Sequence, residues 1–135
     1  MIEDLRPQGS GERVIREFYA ARARGDRAAT RACLADDVAW HDPYPPPFGG
    51  DLRGTEAVFR DIFDGAEGLG FRGGFALHDV IANDEHVIAL VDWWAEYRGR
   101  RMESREVGIF HVRDGRITEV WFHTEDQTAA WEFFA

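Results

Sequence analysis

The chain has 135 residues, of which 44% are hydrophobic and 13% aromatic, and carries a formal net charge of −9. Such a chain fits one globular domain large enough to enclose a pocket, and its aromatic content excludes a disordered polymer. The acidic balance excludes nucleic acid as a partner, because phosphate binding needs clustered cations. It also favours a neutral or weakly polar small molecule, unless a local arginine overrides the field.

Absences narrow the chemistry further. All sixteen basic residues are arginines, so without lysine there is no Schiff-base chemistry. Ser10 and Ser104 are the only serines, and neither sits in a Gly-x-Ser-x-Gly elbow. Cys33 stands alone in the apolar run Ala32-Cys33-Leu34 and reads as a buried structural thiol in a reducing compartment. No apolar run reaches the roughly 18 residues of a membrane span. The first ten residues lack the basic-then-apolar pattern of a secretory signal. A soluble, cytoplasmic protein without a membrane partner is expected.

In chain order, residues 1–10 are polar, carry Pro7 and Gly9, and are expected to be flexible. Residues 11–135 are expected to form a single domain. Ser10 caps a helix running to about Arg24, whose apolar stripe is Val14, Ile15, Phe18 and Tyr19. Gly25 ends it, and Asp26 caps a short second helix carrying Ala29, Ala32, Cys33 and Leu34. Asp36-Asp37 then break the chain, Val38–His41 reads as a short strand, and residues 43–53 form an ordered loop rich in proline and glycine. Thr55 caps a third helix with Val58, Phe59, Ile62 and Phe63 facing inward. The glycines between Gly65 and Gly74 lack the Gly-Lys-Ser/Thr of a phosphate loop and read as a flexible connection.

From Phe75 the period changes to two. Strands are expected at Phe75–Ala82, His86–Arg98, Met102–Arg113 and Arg116–Thr124, with turns at Asn83-Asp84-Glu85, Gly99-Arg100 and Asp114-Gly115. The group Arg98, Arg100, Arg101 reads as a solvated hairpin tip, and Asp126–Phe134 as a short closing helix. Three helices followed by an antiparallel meander give an α+β domain with helices packed on one face of a curved sheet.

Polar groups on otherwise apolar surfaces mark the candidate site. The stretch Trp40-His41-Asp42-Pro43-Tyr44-Pro45-Pro46-Pro47 holds Asp42 in a stiff turn. Alternation on the long strand puts Ile88, Leu90, Asp92 and Trp94 on one face and Val87, Ala89, Val91 and Trp93 on the other. Both faces are apolar, so one is expected under the helices and the other in a homodimer formed through residues such as Val107 and Ile109. Asp92 interrupts its row, and a buried aspartate must be paired or must shift its pKa upward; Glu106 and Arg105 are its possible neighbours. His123 shares a face with Trp121 and is followed by Glu125 and Asp126. The histidines show no metal-binding spacing, and neither a metal nor a cofactor is expected. Five tryptophans suit the wall of a cavity for a bulky apolar ligand.

Ala35-Asp36-Asp37-Val38-Ala39-Trp40-His41-Asp42-Pro43, the proline run, Gly54 and the apolar helix after it resemble the front half of ketosteroid isomerases. Asp114-Gly115-Arg116-Ile117 with Glu119-Val120-Trp121 resembles the end of the SnoaL-like polyketide cyclases. Both groups belong to the nuclear transport factor 2-like superfamily, and the similarity spans about residues 11–134. The resemblance implies a conical barrel in which helices wrap a strongly bent, mainly antiparallel sheet around one deep pocket, often in dimers. It matches Asp42 to the isomerase's general base, which carries a proton between two carbons of an enone. The isomerase's oxyanion tyrosine falls at Phe18, with Tyr19 about 100° further round the helix, and its oxyanion aspartic acid falls at Gly108. Where the cyclases use an aspartate after the final tryptophan, this chain offers His123, Glu125 and Asp126. The expected catalytic set is Asp42, Asp92 and His123. The expected ligand-binding set is Phe18, Tyr19, Trp40, Phe59, Ile62, Trp94, Glu106, Phe110 and Trp121. Two functions follow: a cofactor-free acid/base enzyme acting on a hydrophobic small molecule, or a ligand-binding or dimerising module without turnover.

Overall fold

The computed structural model describes residues 10–135. The expected flexible N-terminus therefore lies outside the described residues, apart from Ser10, which opens the first helix. Helix α1 (Ser10–Ala23) buries Ile15, Phe18 and Tyr19, the residues whose three- and four-residue spacing puts them on one face. Gly25 turns the chain with a positive φ of 71°, and the Asp26 carboxylate accepts the Ala29 backbone N–H to cap α2 (Arg27–Ala32). Strand β1 (Leu34–Asp42) follows directly. Leu34 thus belongs to the strand and not to α2. Asp36 and Asp37 do not break the chain either: they sit exposed on β1, where the pairing register shifts between Leu34 and Ala39 and absorbs them as an irregularity.

The loop expected over 43–53 contains a four-residue edge strand, β2 (Gly50–Arg53), paired antiparallel with β1. Four residues opening on glycine carry too little alternation to be seen in sequence. Helix α3 (Thr55–Val58) continues through a π-helical stretch, Phe59–Asp64, into α4 (Gly65–Gly68). Thr55 is not the cap of α3. Gly54 occupies that position, and the buried Thr55 hydroxyl instead donates to the Ala35 carbonyl at 2.8 Å, pinning the helix to β1. The expected flexible glycine connection is regular at both ends, since Gly65 and Gly68 bound α4 while Gly73 and Gly74 lie in β3 (Arg72–Ala82).

Strands β3, β4 (Val87–Tyr97), β5 (Arg100–Arg113) and β6 (Arg116–Thr124) form the antiparallel meander. Asp114 and Gly115 both take positive φ, as the primed hairpin requires, and Arg98-Gly99 does the same one residue earlier than expected. The sheet order is β2-β1-β6-β5-β4-β3, with β1 parallel to β6 and all other neighbours antiparallel. Helix α5 (Gln127–Phe134), capped by Asp126, folds back beneath the sheet. The hairpin arginines hold it there. Arg100 donates to the carbonyls of Glu132 and Phe133, and Arg98 to that of Ala135, so this group is a clasp more than a solvated tip.

Two apolar clusters result. One packs α1, α3 and the π-helical stretch on the inner face of the sheet around Phe18, Trp40, Phe110 and Val120. The other joins Phe48 of the proline loop, Tyr97 and α5's Phe133 and Phe134. On the opposite face, Ile88, Leu90, Val107 and Ile109 are half-buried and Ile81 is exposed. No described helix is long and apolar enough to cross a membrane.

Candidate active site

Between the two clusters lies a cavity of about 400 Å³. The sheet supplies Trp40, Asp42, Trp93, Glu106 and Phe122; the helices supply Tyr19, Arg22, Phe59, Ile62 and Phe63; the proline loop and α5 add Tyr44, Phe48 and Phe134. The π-helical stretch matters here because its wider turn presents Phe59, Ile62 and Phe63 together.

The proline turn is fixed from three sides. The Pro43 carbonyl accepts the Trp131 indole N–H at 2.6 Å and a bond from the Gln127 amide, both from α5. Phe48 N–H bonds the Pro45 carbonyl at 2.9 Å. The Tyr44 hydroxyl crosses the cavity wall to donate to Glu106 Oε2 at 2.9 Å. Asp42, the last residue of β1, is thereby held beside the sheet, and its Oδ2 accepts the Trp40 indole N–H at 3.2 Å.

Asp42 is half-buried as a residue, yet its Oδ1 is sealed from solvent without a partner among the described residues. Burial raises its carboxyl well above the usual carboxylate range, and the neighbouring charge of Glu106 adds to the shift. The bond from Trp40, the Arg22 cation and the Tyr44 backbone N–H pull the other way and do not offset it. Glu106 is also raised by burial, opposed by the Tyr44 hydroxyl and by Arg22. Burial pushes the phenols of Tyr19 and Tyr44 upward, so both stay neutral donors. Two more buried polar atoms lack a partner among the described residues: Tyr19 Oη and Trp93 Nε1. Both belong to residues lining the cavity. Buried polar atoms are normally paired, so three left over around one cavity mark where a ligand's own polar atoms belong.

This arrangement can run acid/base chemistry. A neutral Asp42 can carry its proton on Oδ1, the oxygen that accepts nothing from the described residues, and Glu106 supplies a second carboxyl held by Tyr44. Among the described residues no three His, Cys, Asp or Glu side chains converge to hold a metal ion.

The cavity gathers Asp42, Tyr19, Trp40, Phe59, Ile62, Trp94 and Glu106 from the expected set. It does not gather the others. Asp92 lies on the outer face, 53% exposed, with Arg105 at 3.3 Å, because β4 turns Val91 and Trp93 inward and Asp92 between them outward. His123 is exposed on β6 for the same reason, its neighbour Phe122 taking the inward position. Trp121 is also outside, stacked on His41 with ring centroids 5.4 Å apart. Phe18 and Phe110 are fully buried core that supports the wall from behind, each in edge contact with Tyr19. The helix phase thus gives the cavity Tyr19 in place of Phe18. At Gly108 an added Cβ would lie 2.6 Å from the Phe110 ring and 3.3 Å from Tyr19 Oη, so the isomerase's aspartic acid has no room there, and the carboxyl this strand brings to the cavity is that of Glu106, two residues back on the same face.

Three site residues that bring a polar group to the cavity escaped the sequence reading: Arg22, Tyr44 and Trp93. Arg22 continues the buried stripe Ile15, Phe18, Tyr19 at helical spacing and was legible on that ground. Tyr44 stands inside the proline motif, and Trp93 on the inward row of β4.

A sequence model of the SnoaL-like domain matches residues 15–120. The uncharacterized protein Rv0034 of Mycobacterium tuberculosis is 32% identical over 123 residues, covering 90% of this chain and 94% of the relative. Among solved structures, Bal32a from a soil-derived mobile gene cassette superposes with a TM-score of 0.85 at 26% identity, over 93% of this chain and 97% of that one. A candidate polyketide cyclase from Silicibacter sp. TM1040 has the same fold, with a TM-score of 0.70 at 21% identity over 90% and 93% of the two chains.

Proposed function

The chain belongs to the SnoaL-like domain family, and from that premise we propose that it is a cofactor-free acid/base enzyme that moves protons on a hydrophobic small molecule. One observation carries the reading: Asp42 and Glu106 enter a single apolar-walled cavity, with Asp42 Oδ1 and Tyr19 Oη unpartnered among the described residues. Asp42 is the acid, Glu106 the base, and Tyr19 Oη and Trp93 Nε1 are donors for a substrate oxygen that gains charge in the transition state. Isomerisation, aldol-type cyclisation, dehydration and epoxide opening all use such a set in a dry cavity. The likeness to a candidate polyketide cyclase supports this class at the level of fold. A cytoplasmic location is supported by the single unpaired cysteine, Cys33. A homodimer through Ile88, Leu90, Val107 and Ile109 would cover the half-exposed outer strip, and a monomeric mass at micromolar concentration would remove that part of the reading.

Exchange of carbon-bound protons tests the catalytic reading without knowledge of the natural substrate. A panel of apolar cyclic ketones is incubated with the protein in D₂O and followed by NMR. Deuterium uptake α to the carbonyl is expected to accelerate, and to fall by about 100- to 10,000-fold in Asp42→Asn. Ketones that bind while exchanging at the same rate with wild type and Asp42→Asn would make the cavity a binding site without turnover.

A further inference from the structure

Arg22 is the odd group in this cavity. Its guanidinium carbon lies 5.3, 5.0 and 4.9 Å from the ring centroids of Phe18, Phe63 and Phe75, in an aromatic cage that fixes the planar cation in place. Most of the other described arginines are tied to acids or carbonyls. Arg24, Arg27, Arg31, Arg60, Arg72, Arg101 and Arg105 pair with carboxylates, and Arg98 and Arg100 hold the end of α5. Among the described residues no carboxylate forms an ion pair with Arg22; Glu106 and Asp42 favour its charge only from a distance and do not offset the opposing effect of burial. A helix-terminal cation can be favourable by itself, since α1 ends at Ala23 and its carbonyl end attracts positive charge. That accounts for an arginine in the last turn, but not for one turned inward to line a cavity.

Two uncharged donors share the cavity with it, Tyr19 Oη and Trp93 Nε1, both buried and both without a protein acceptor among the described residues. Three donors from α1 and β4 around one apolar space ask for a ligand rich in acceptors. A planar fork of N–H groups is matched best by a carboxylate or another delocalised oxyanion.

We propose that the cavity's ligand is an anion: an aromatic or alicyclic molecule whose carboxylate, or equally acidic enol oxygen, seats against Arg22 while further oxygens meet Tyr19 and Trp93. The inference rests on the reading of the cavity as a small-molecule site and adds the charge of that molecule. The local cation overrides the acidic balance of the whole chain at the one place where the ligand docks. It also gives the apolar walls a direction, because the charged end of the molecule must lie at the Phe18–Phe63–Phe75 cage and the reacting end toward Asp42 and Glu106.

Matched pairs of probes test the charge. Benzoate, 2-naphthoate and 9-anthroate are titrated against their carboxamides by calorimetry, with quenching of the cavity tryptophans as a second readout. Wild type is expected to bind at least one acid tenfold or more tightly than its amide. Arg22→Met is expected to abolish that preference while leaving amide affinity within twofold, and Arg22→Lys to restore part of it. Circular dichroism establishes that each variant is folded; if Arg22→Met is not, Arg22→Lys and the wild-type acid-to-amide ratio decide. Equal binding within every pair, or no binding by any probe, overturns the proposal. Loss of ketone exchange in Asp42→Asn is a separate result, so a failed charge test and a failed catalytic reading are told apart.

Discussion

The Tyr44 hydroxyl donates to Glu106 Oε2 at 2.9 Å, joining the proline turn to the middle of β5. The bond acts on two levels, holding the turn that carries Asp42 and favouring the ionised form of Glu106. Tyr44→Phe removes a bond to a charged group in a partly buried setting, at a cost of about 1.5–3 kcal/mol in urea denaturation. It also raises the Glu106 carboxyl further above its usual range, so the acid limb of any pH–rate profile shifts to higher pH. An unmoved limb together with unchanged stability would remove Glu106 from the chemistry.

Asp42 makes the fold pH-sensitive in a defined direction. Its carboxyl is raised by burial, so as pH rises above about 4 the unfolded chain ionises first and binds fewer protons than the folded one. Stability therefore falls with rising pH through the window between the unfolded and folded values. Asp42→Asn removes this penalty while keeping an oxygen for Trp40. The variant is expected to melt higher than wild type at pH 7.5, with the two curves converging toward pH 4. A lower melting temperature at neutral pH would mean that Asp42 is ionised and paired in the native state.

His41 works with the opposite charge on the outer face. Its ring nitrogens lie 2.8 Å from Glu119 and 2.9 Å from Asp51, and the bond to Glu119 is the larger reason that its pKa is raised. The stabilisation is complete below the unfolded value of about 6.5 and is lost as pH rises through the folded value. His41→Gln is expected to destabilise by less than about 1 kcal/mol, since Asp51 is largely exposed and screened. The loss should appear in melting curves at pH 6 and vanish by pH 9.

Gly108 is a packing requirement. Its Cβ position is already occupied by the fully buried Phe110 ring at 2.6 Å, so Gly108→Ala forces that ring or the strand to move. A loss of about 1–3 kcal/mol is expected in denaturant unfolding. A neutral result would show that Phe110 has a second packing position and that the wall of the cavity is softer than its contacts suggest.

The order of helices and strands was legible because hydrophobic period reports which face of each element is buried: Ile15, Phe18 and Tyr19 on α1, or Val87, Ala89 and Val91 on β4. Asp42 was legible from its stiff turn. The placement of Asp92 was not, since both rows of β4 are apolar and alternation alone cannot say which one faces the helices. Only the bend of the sheet and the arrival of α1 decide that Trp93 looks in and Asp92 out. The same limit applied on β6, where Phe122 and His123 differ by one residue and by a whole face. Phe18 and Tyr19 pose the helical version of the problem, both being buried, 0% and 2% exposed, while only the tyrosine reaches the cavity.

Strand β1, which ends in Asp42, is parallel to β6, with Trp40 opposite Val120 about 80 residues further along. Hairpins such as β5–β6 close over a two-residue turn, whereas this pairing must bring together two distant parts of the chain, at the entropy cost of a long loop. The meander β3–β6 can therefore assemble while the carboxyl of Asp42 is still in water at its ordinary affinity for protons. Its desolvation is expected only when β1 and the helices that line the cavity dock. Refolding should accordingly take up a proton late, after most of the strand structure has formed, and the chemistry of the site comes into being in the order in which the chain collapses.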